Sequence, residues 1–194
     1  MNYSSLILAS KSSRRKDILK TAGIPFKVVD PKVDEKEYLS DTNNDPISIA
    51  LELAKAKAND VAQDYGDYLV LAADTIVIFD NEVIGKPQSE DDAKIILNRL
   101  SGKSHKVVTA YNLLWKNNEV DIAKYAVTEV DLYPIETWEI DYYLKVEKYQ
   151  DAAGAYKIQG SFAKFVKEIK GSYHNVMGLP IGDIYYNIKN ILNL

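Results

Sequence analysis

No cysteine occurs among the 194 residues, and only two histidines do, His105 and His174. The first absence excludes disulfides, thiolate metal sites and a cysteine nucleophile, and it fits a reducing compartment, so a cytoplasmic location is expected. The two histidines match no metal-ligand spacing and read as ordinary polar residues. Long apolar runs are missing too. Nothing approaches the roughly 20 residues that span a bilayer, and the first ten residues lack a basic segment followed by an apolar one, so neither membrane association nor export is expected. There is no excess of positive charge: 24 Lys and Arg stand against 28 Asp and Glu, a net charge of -4. That balance argues against stable nucleic-acid binding, and any positive charge that matters must be local. No G-x-x-x-x-G-K-S/T is present, which excludes a P-loop. Repeats, low-complexity tracts and Pro/Gly/Ser-rich linkers are likewise absent, so one domain is expected, with a soft lobe boundary inside the central strands.

What is present is material for a core, 46% of the residues being hydrophobic, arranged as an α/β protein. Ser5 to Ala9 is a short apolar run of strand type. Ser12 or Ser13 can then cap a helix whose Ile18, Leu19 and Ala22 form a buried stripe and whose stop is Gly23. Pro25 to Asp30 reads as a second strand, and the acidic stretch through Pro46 as a loop. Asp45-Pro46 starts a helix with Ile49, Leu53, Ala56 and Val61 on its apolar stripe. Tyr68 to Phe79 has the continuous apolarity of a central strand, followed by a turn at Asp80-Asn81 and a helix capped by Ser89. His105 to Tyr133 reads as two long strands joined at Asn117-Asn118, which makes the sheet mixed. Glu136 to Val146 is helical, Ala153 to Gly171 a Gly-punctuated loop with another strand pair, and Ile181, Ile184, Ile188 and Ile191 stand in the register of a final helix.

Several residues could carry chemistry. Lys11, Arg14 and Arg15 gather where strand hands over to helix; unpaired N–H groups and the helix dipole favour an anion there, although a solvated first turn is the plainer alternative. Asp74 interrupts the most apolar strand, a costly place for a carboxylate unless a cation, a metal or N–H donors meet it. It can act as a base or metal ligand, or as a structural acid at a strand bend. Asp34 and Glu35 could supply a second carboxylate. Lys57 and Lys86 are unremarkable singly, and Gln159 offers an amide able to read a base edge or to stitch backbone.

Taken in order, "LASKSSRR", "VDE", "LAKAKA", "LAADTIV", "GKP", "LSGKSHKVVTA", "AGAYKIQG" and "GSYHNVMGLP" resemble the Maf family of nucleoside triphosphate pyrophosphatases, from about Leu6 to Pro180. The resemblance implies a mixed, strongly twisted sheet with flanking helices, and two lobes around a nucleotide-binding cleft. It implies hydrolysis of a nucleoside triphosphate to monophosphate and pyrophosphate with a divalent cation, Mg²⁺ or Mn²⁺. Asp74 then looks like the general base, with Glu35 helping to bind the metal. Lys57, Lys86 and Arg15 resemble the groups that neutralise the triphosphate, and Arg14, Thr75 and Gln159 those tied to substrate choice, while Ser10 matches the serine opening the first loop. "ADT" and "IQG" resemble the branch acting on dTTP and UTP. Ser13 stands where the family usually has proline, and Lys157 where this branch usually has glycine, a change that adds a cation beside Gln159. The expected partner is the nucleotide, with a homodimer the candidate assembly. The rival reading is a nucleotide-sensing protein that regulates growth or division with incidental hydrolysis.

Overall fold

The computed structural model describes residues 6–35, 38 and 45–192. The first three helix starts each follow from a local hydrogen bond. Helix α1 (Ser13–Thr21) is capped by Ser12, whose hydroxyl accepts from the Arg15 N–H. Helix α2 (Pro46–Ala62) has Asp45 as its cap, accepting from Ser48, and proline at its start. In α3 (Glu90–Leu100) Ser89 accepts from Asp92. These caps satisfy donors that the first turn leaves unpaired. Gly23, at φ +67°, ends α1, with the Ile24 N–H returning to Leu19. Ala22 does not join the buried stripe. It is exposed, and Ile24, just past the glycine, is buried in its place; the reversal of direction at Gly23 brings that side chain back onto the helix.

Seven strands form one mixed sheet in the order β2-β1-β3-β5-β6-β7, with β4 on β3. Strand β1 (Leu6–Ala9) is parallel to both β2 (Lys27–Val29) and β3 (Leu69–Phe79). Strand β4 (Glu82–Ile84) returns antiparallel after a turn in which Asp80 and Asn81 have φ +51° and +63°, the geometry of a tight hairpin. Strands β5 (Ser104–Trp115) and β6 (Val120–Leu132) follow, separated by a short 3-10 turn in which Glu119, rather than either asparagine, takes the left-handed conformation. Helix α4 (Thr137–Val146) opens with a Glu136/Glu139 capping box. The glycine-punctuated segment yields one strand, β7 (Val166–Lys170), paired antiparallel with β6, rather than a strand pair. Its first half forms 3-10 turns instead, because Gly154 and Gly160 adopt positive φ, while Phe162 and Phe165 both turn into the core. A short helix α5 (Tyr173–Met177), not anticipated from the sequence, precedes α6 (Ile181–Ile191). Pro31 to Asp34 are irregular and Glu35 is helical, while most of the acidic stretch read as loop, and Ser5, lie outside the described residues.

Contacts divide the chain into two compact units. The first comprises Met1–Asp74, Thr109–Ala126 and Gly178–Leu194. Its core includes Ile7, Ala9, Val70 and Ala72 of the sheet against Ala58, Val61 and Ala62 of α2. The second comprises Thr75–Val108 and Val127–Met177, and its core joins Ile96, Leu97 and Leu100 of α3 to Val77, Val130, Tyr143 and Phe162. Among the described residues no helix is long and apolar enough to cross a membrane.

Candidate active site

In the first unit, α2 places Lys57 on its inward face, in register with Leu53, Ala54, Ala58 and Val61. The residue is only 5% exposed, and its ammonium lies 2.7 Å from Asp74 Oδ1 and 2.7 Å from Glu35 Oε1. Two carboxylates from separate elements thus converge on one cation. Asp74 is the point where the apolar run of β3 turns half-buried, the buried residues from Leu69 to Ala73 giving way to Asp74 and Thr75. The charge that the strand could not accommodate alone is met by a helix 17 residues away in sequence.

Arg15 joins the same electrostatic group. Its Nε donates to the Gly178 carbonyl at 2.9 Å, and an Nη reaches Ser10 Oγ at 3.4 Å, while Ser10 also accepts from the Ser12 N–H at 3.1 Å. Burial lowers the Arg15 pKa from its ordinary value and Arg14 lowers it further, whereas Asp74 and Glu35 raise it; a guanidinium stays charged through such a shift. Lys57 and Arg15 therefore bring two cations to the two carboxylates, with Arg14 close enough to Arg15 to oppose its charge, an arrangement suited to an anion bearing several negative oxygens. Sequence reasoning missed the Gly178 carbonyl, because a backbone acceptor leaves no residue-type signal. Helix α6, which begins three residues later, is tied to β5: the Tyr111 hydroxyl donates to Asp183, and Asn187 Nδ2 donates to Tyr111 Oη at 3.0 Å.

The second unit holds the remaining candidates. Thr75 follows Asp74 on β3. Lys86 is exposed in its Gly-Lys-Pro turn, where its carbonyl accepts from Gln88 and the Gly85 carbonyl accepts from the Gly154 N–H at 3.1 Å. That bond ties the lysine turn to the loop bearing Gln159. The Gln159 amide oxygen is buried and makes no hydrogen bond among the described residues. A buried acceptor of this kind is costly unless a donor arrives. Lys157 lies against Asp151 at 2.8 Å, so its added charge is met locally.

The donor set fits a hard divalent cation. Asp74 and Glu35 already converge on one positive centre, and carboxylate oxygens with substrate phosphates are what Mg²⁺ or Mn²⁺ takes. Among the described residues no cluster of three or more His, Cys, Asp or Glu could hold a metal by protein groups alone.

The chain is 40% identical over 188 residues to a dTTP/UTP pyrophosphatase of Bacillus cereus (strain ATCC 10987 / NRS 248), covering 97% of this chain and 90% of that one. To the dTTP/UTP pyrophosphatase of Bacillus thuringiensis subsp. konkukian (strain 97-27) it is 41% identical over 184 residues, covering 95% and 94%. A solved structure of the Staphylococcus aureus Ham1 protein overlaps 66% of this chain and 71% of its own at 13% identity and a TM-score of 0.44, too low to bear on function. A family model described as Maf-like protein matches residues 5–191. With that match over nearly its whole length, and two relatives at such identity, the chain belongs to the Maf family.

Proposed function

We propose that the protein hydrolyses nucleoside triphosphates, dTTP and UTP above others, to the monophosphate and pyrophosphate. The observation that carries the proposal is the Asp74 carboxylate held beside Lys57 and Arg15 within the first unit. The names of the curated relatives supply the substrate class. Asp74 takes the proton of an attacking water as its oxygen bonds to phosphorus, and the bond to the departing pyrophosphate breaks. Arg14, Arg15, Lys57 and Lys86 spread the charge that develops on the phosphate oxygens, with Ser10 holding the Arg15 guanidinium. Asp74 and Glu35 would hold the divalent cation, which when bound supplies further neutralisation of the phosphates.

Base choice is assigned to Gln159, with Thr75 and Arg14. The unpartnered amide oxygen accepts the N3–H of thymine or uracil, whereas cytosine presents a bare acceptor nitrogen at that position. A site built on a buried polar group rejects the base that leaves it unpaired.

Purified protein with Mg²⁺ or Mn²⁺ is expected to release pyrophosphate from dTTP and UTP, and Asp74→Asn to lower kcat by about 10²-fold or more with the fold intact. Nucleotide binding without turnover in the unaltered protein would instead establish the nucleotide-sensing reading. A variant that keeps its rate would remove Asp74 from the role of base.

A further inference from the structure

His105 belongs to neither group of candidate residues, yet it is 3% exposed at the start of β5. Its Nε2 lies 2.7 Å from the Tyr156 hydroxyl, across 51 positions of sequence, and the two rings meet edge to face at 5.5 Å. Both partners are kept neutral by burial, which pushes the His105 pKa down to about 4 and raises that of the Tyr156 phenol. The contact is therefore a neutral hydrogen bond, buried and directional.

Tyr156 stands three residues before Gln159 and Phe162 three residues after it. Their rings stack at 4.4 Å with 22° between the planes, so the segment bearing Gln159 is closed on itself by two buried aromatics. It is fixed to α4 and to the residue that ends it: the Lys157 N–H donates to Tyr143 Oη at 3.0 Å, and Ser161 donates to Glu147 through both its N–H, at 3.2 Å, and its hydroxyl, at 2.7 Å. The bond to His105 fixes the same segment to β5. Ala155, immediately before Tyr156, is held at φ +58°, a conformation a non-glycine residue keeps only where its surroundings impose it.

We infer that His105 is a positioning residue for base selection: by fixing Tyr156 it fixes the loop that aims the unpartnered Gln159 amide oxygen. The inference rests on the reading of Gln159 as the group that meets the base. A Tyr156 ring released from His105 keeps its volume but loses the bond that sets its orientation, and the stacked Phe162 and intervening Gln159 shift with it. A misplacement of about 1 Å caused by a change far from the chemistry can cost on the order of 10²-fold in rate, and it falls unequally on substrates that differ in the group being read.

The test compares kcat/KM for UTP and CTP in the wild type and in His105→Leu, Tyr156→Phe, His105→Gln and Gln159→Ala, alongside inhibition by tripolyphosphate, which has no base. His105→Leu and Tyr156→Phe are expected to lower the UTP-to-CTP ratio by about tenfold, with tripolyphosphate inhibition unchanged within about twofold. His105→Gln, whose amide can still bond the Tyr156 hydroxyl, is expected to recover most of the ratio. If His105→Leu and Tyr156→Phe keep the ratio that Gln159→Ala loses, the positioning role is wrong and the base-reading role stands. If Gln159→Ala also keeps the ratio, or the wild type shows no preference, both fall. A parallel loss of tripolyphosphate inhibition would also overturn the positioning role, since the damage would then extend beyond the loop.

Discussion

An ammonium gripped by two carboxylates occupies the oxygens that a divalent cation would use, so at Lys57 the side chain and the metal compete for Asp74 and Glu35. Lys57→Met keeps the stem and removes the charge. It takes away the cation in contact with both acids, with Arg15 still within electrostatic reach, at a cost on the order of 2 kcal/mol once the partial exposure of Glu35 is allowed for. The same change makes the pair available. With no nucleotide present, added Mn²⁺ is expected to raise the Tm of Lys57→Met more than that of the wild type, since a ligand stabilises the folded state in proportion to its affinity for it. Equal shifts in a thermal titration of the two proteins would mean that ammonium and metal do not share these oxygens. The variant is also expected to turn over poorly, which separates metal affinity from phosphate screening.

Elements were legible in the sequence wherever a single residue type imposes local geometry. Ser12, Asp45 and Ser89 cap their helices because a short side-chain oxygen there bonds the first turn, and Asp80-Asn81 turns because both residues tolerate positive φ. Asp74 was legible as an acid inside an apolar run. Its partnership with Lys57 was not, because it depends on how α2 lies against β3, and Glu35 stood among many acids. Alternation failed between Ala153 and Phe165, where two left-handed glycines and inward-facing aromatics replaced a strand by tight turns. Helix α5 was missed because its determinants are tertiary. Thr128 on β6 donates its hydroxyl to the Ser172 carbonyl at 3.2 Å and accepts from the Ser172 N–H at 3.1 Å and from Asn175 Nδ2 at 3.0 Å, a hub that sets the course of the chain from β7 into α5. Gly171 makes this possible. At φ +134°, an added Cβ would lie 2.7 Å from Thr128 Oγ1 and 3.1 Å from the Val127 carbonyl oxygen. Gly171→Ala is therefore expected to destabilise the protein by about 2 kcal/mol or more, read as a lower urea midpoint with an unchanged slope. An unaltered midpoint would show that β7 and α5 can be joined by another path.

For the whole molecule, the buried histidine links stability to pH. His105 has an ordinary pKa of 6.5, and burial lowers it to about 4, with Asp131 pulling weakly the other way. Between those values the unfolded chain binds a proton that the folded chain refuses, so unfolding is favoured as pH falls through this window and stability rises with pH across it. A gap of that size corresponds to about 3 kcal/mol. Asp131 and Glu147 act in the same direction: Ser104 and Ser161 respectively, through hydrogen bonds, hold their pKa values below the ordinary carboxylate value, and their contributions fade as they protonate in the folded state. The raised Lys94 and Lys170 belong to the alkaline limb, where stability falls as pH climbs through their elevated values. Urea unfolding at a series of pH values is expected to show wild-type stability falling between about pH 6.5 and 4. His105→Gln should remove most of the slope in that window while leaving the remaining carboxylate-driven loss below it, since glutamine cannot take up the proton that separates folded from unfolded chains. A variant whose stability falls as steeply as the wild type would place the acid lability in the carboxylates alone, with the imidazole already able to accept a proton inside the fold.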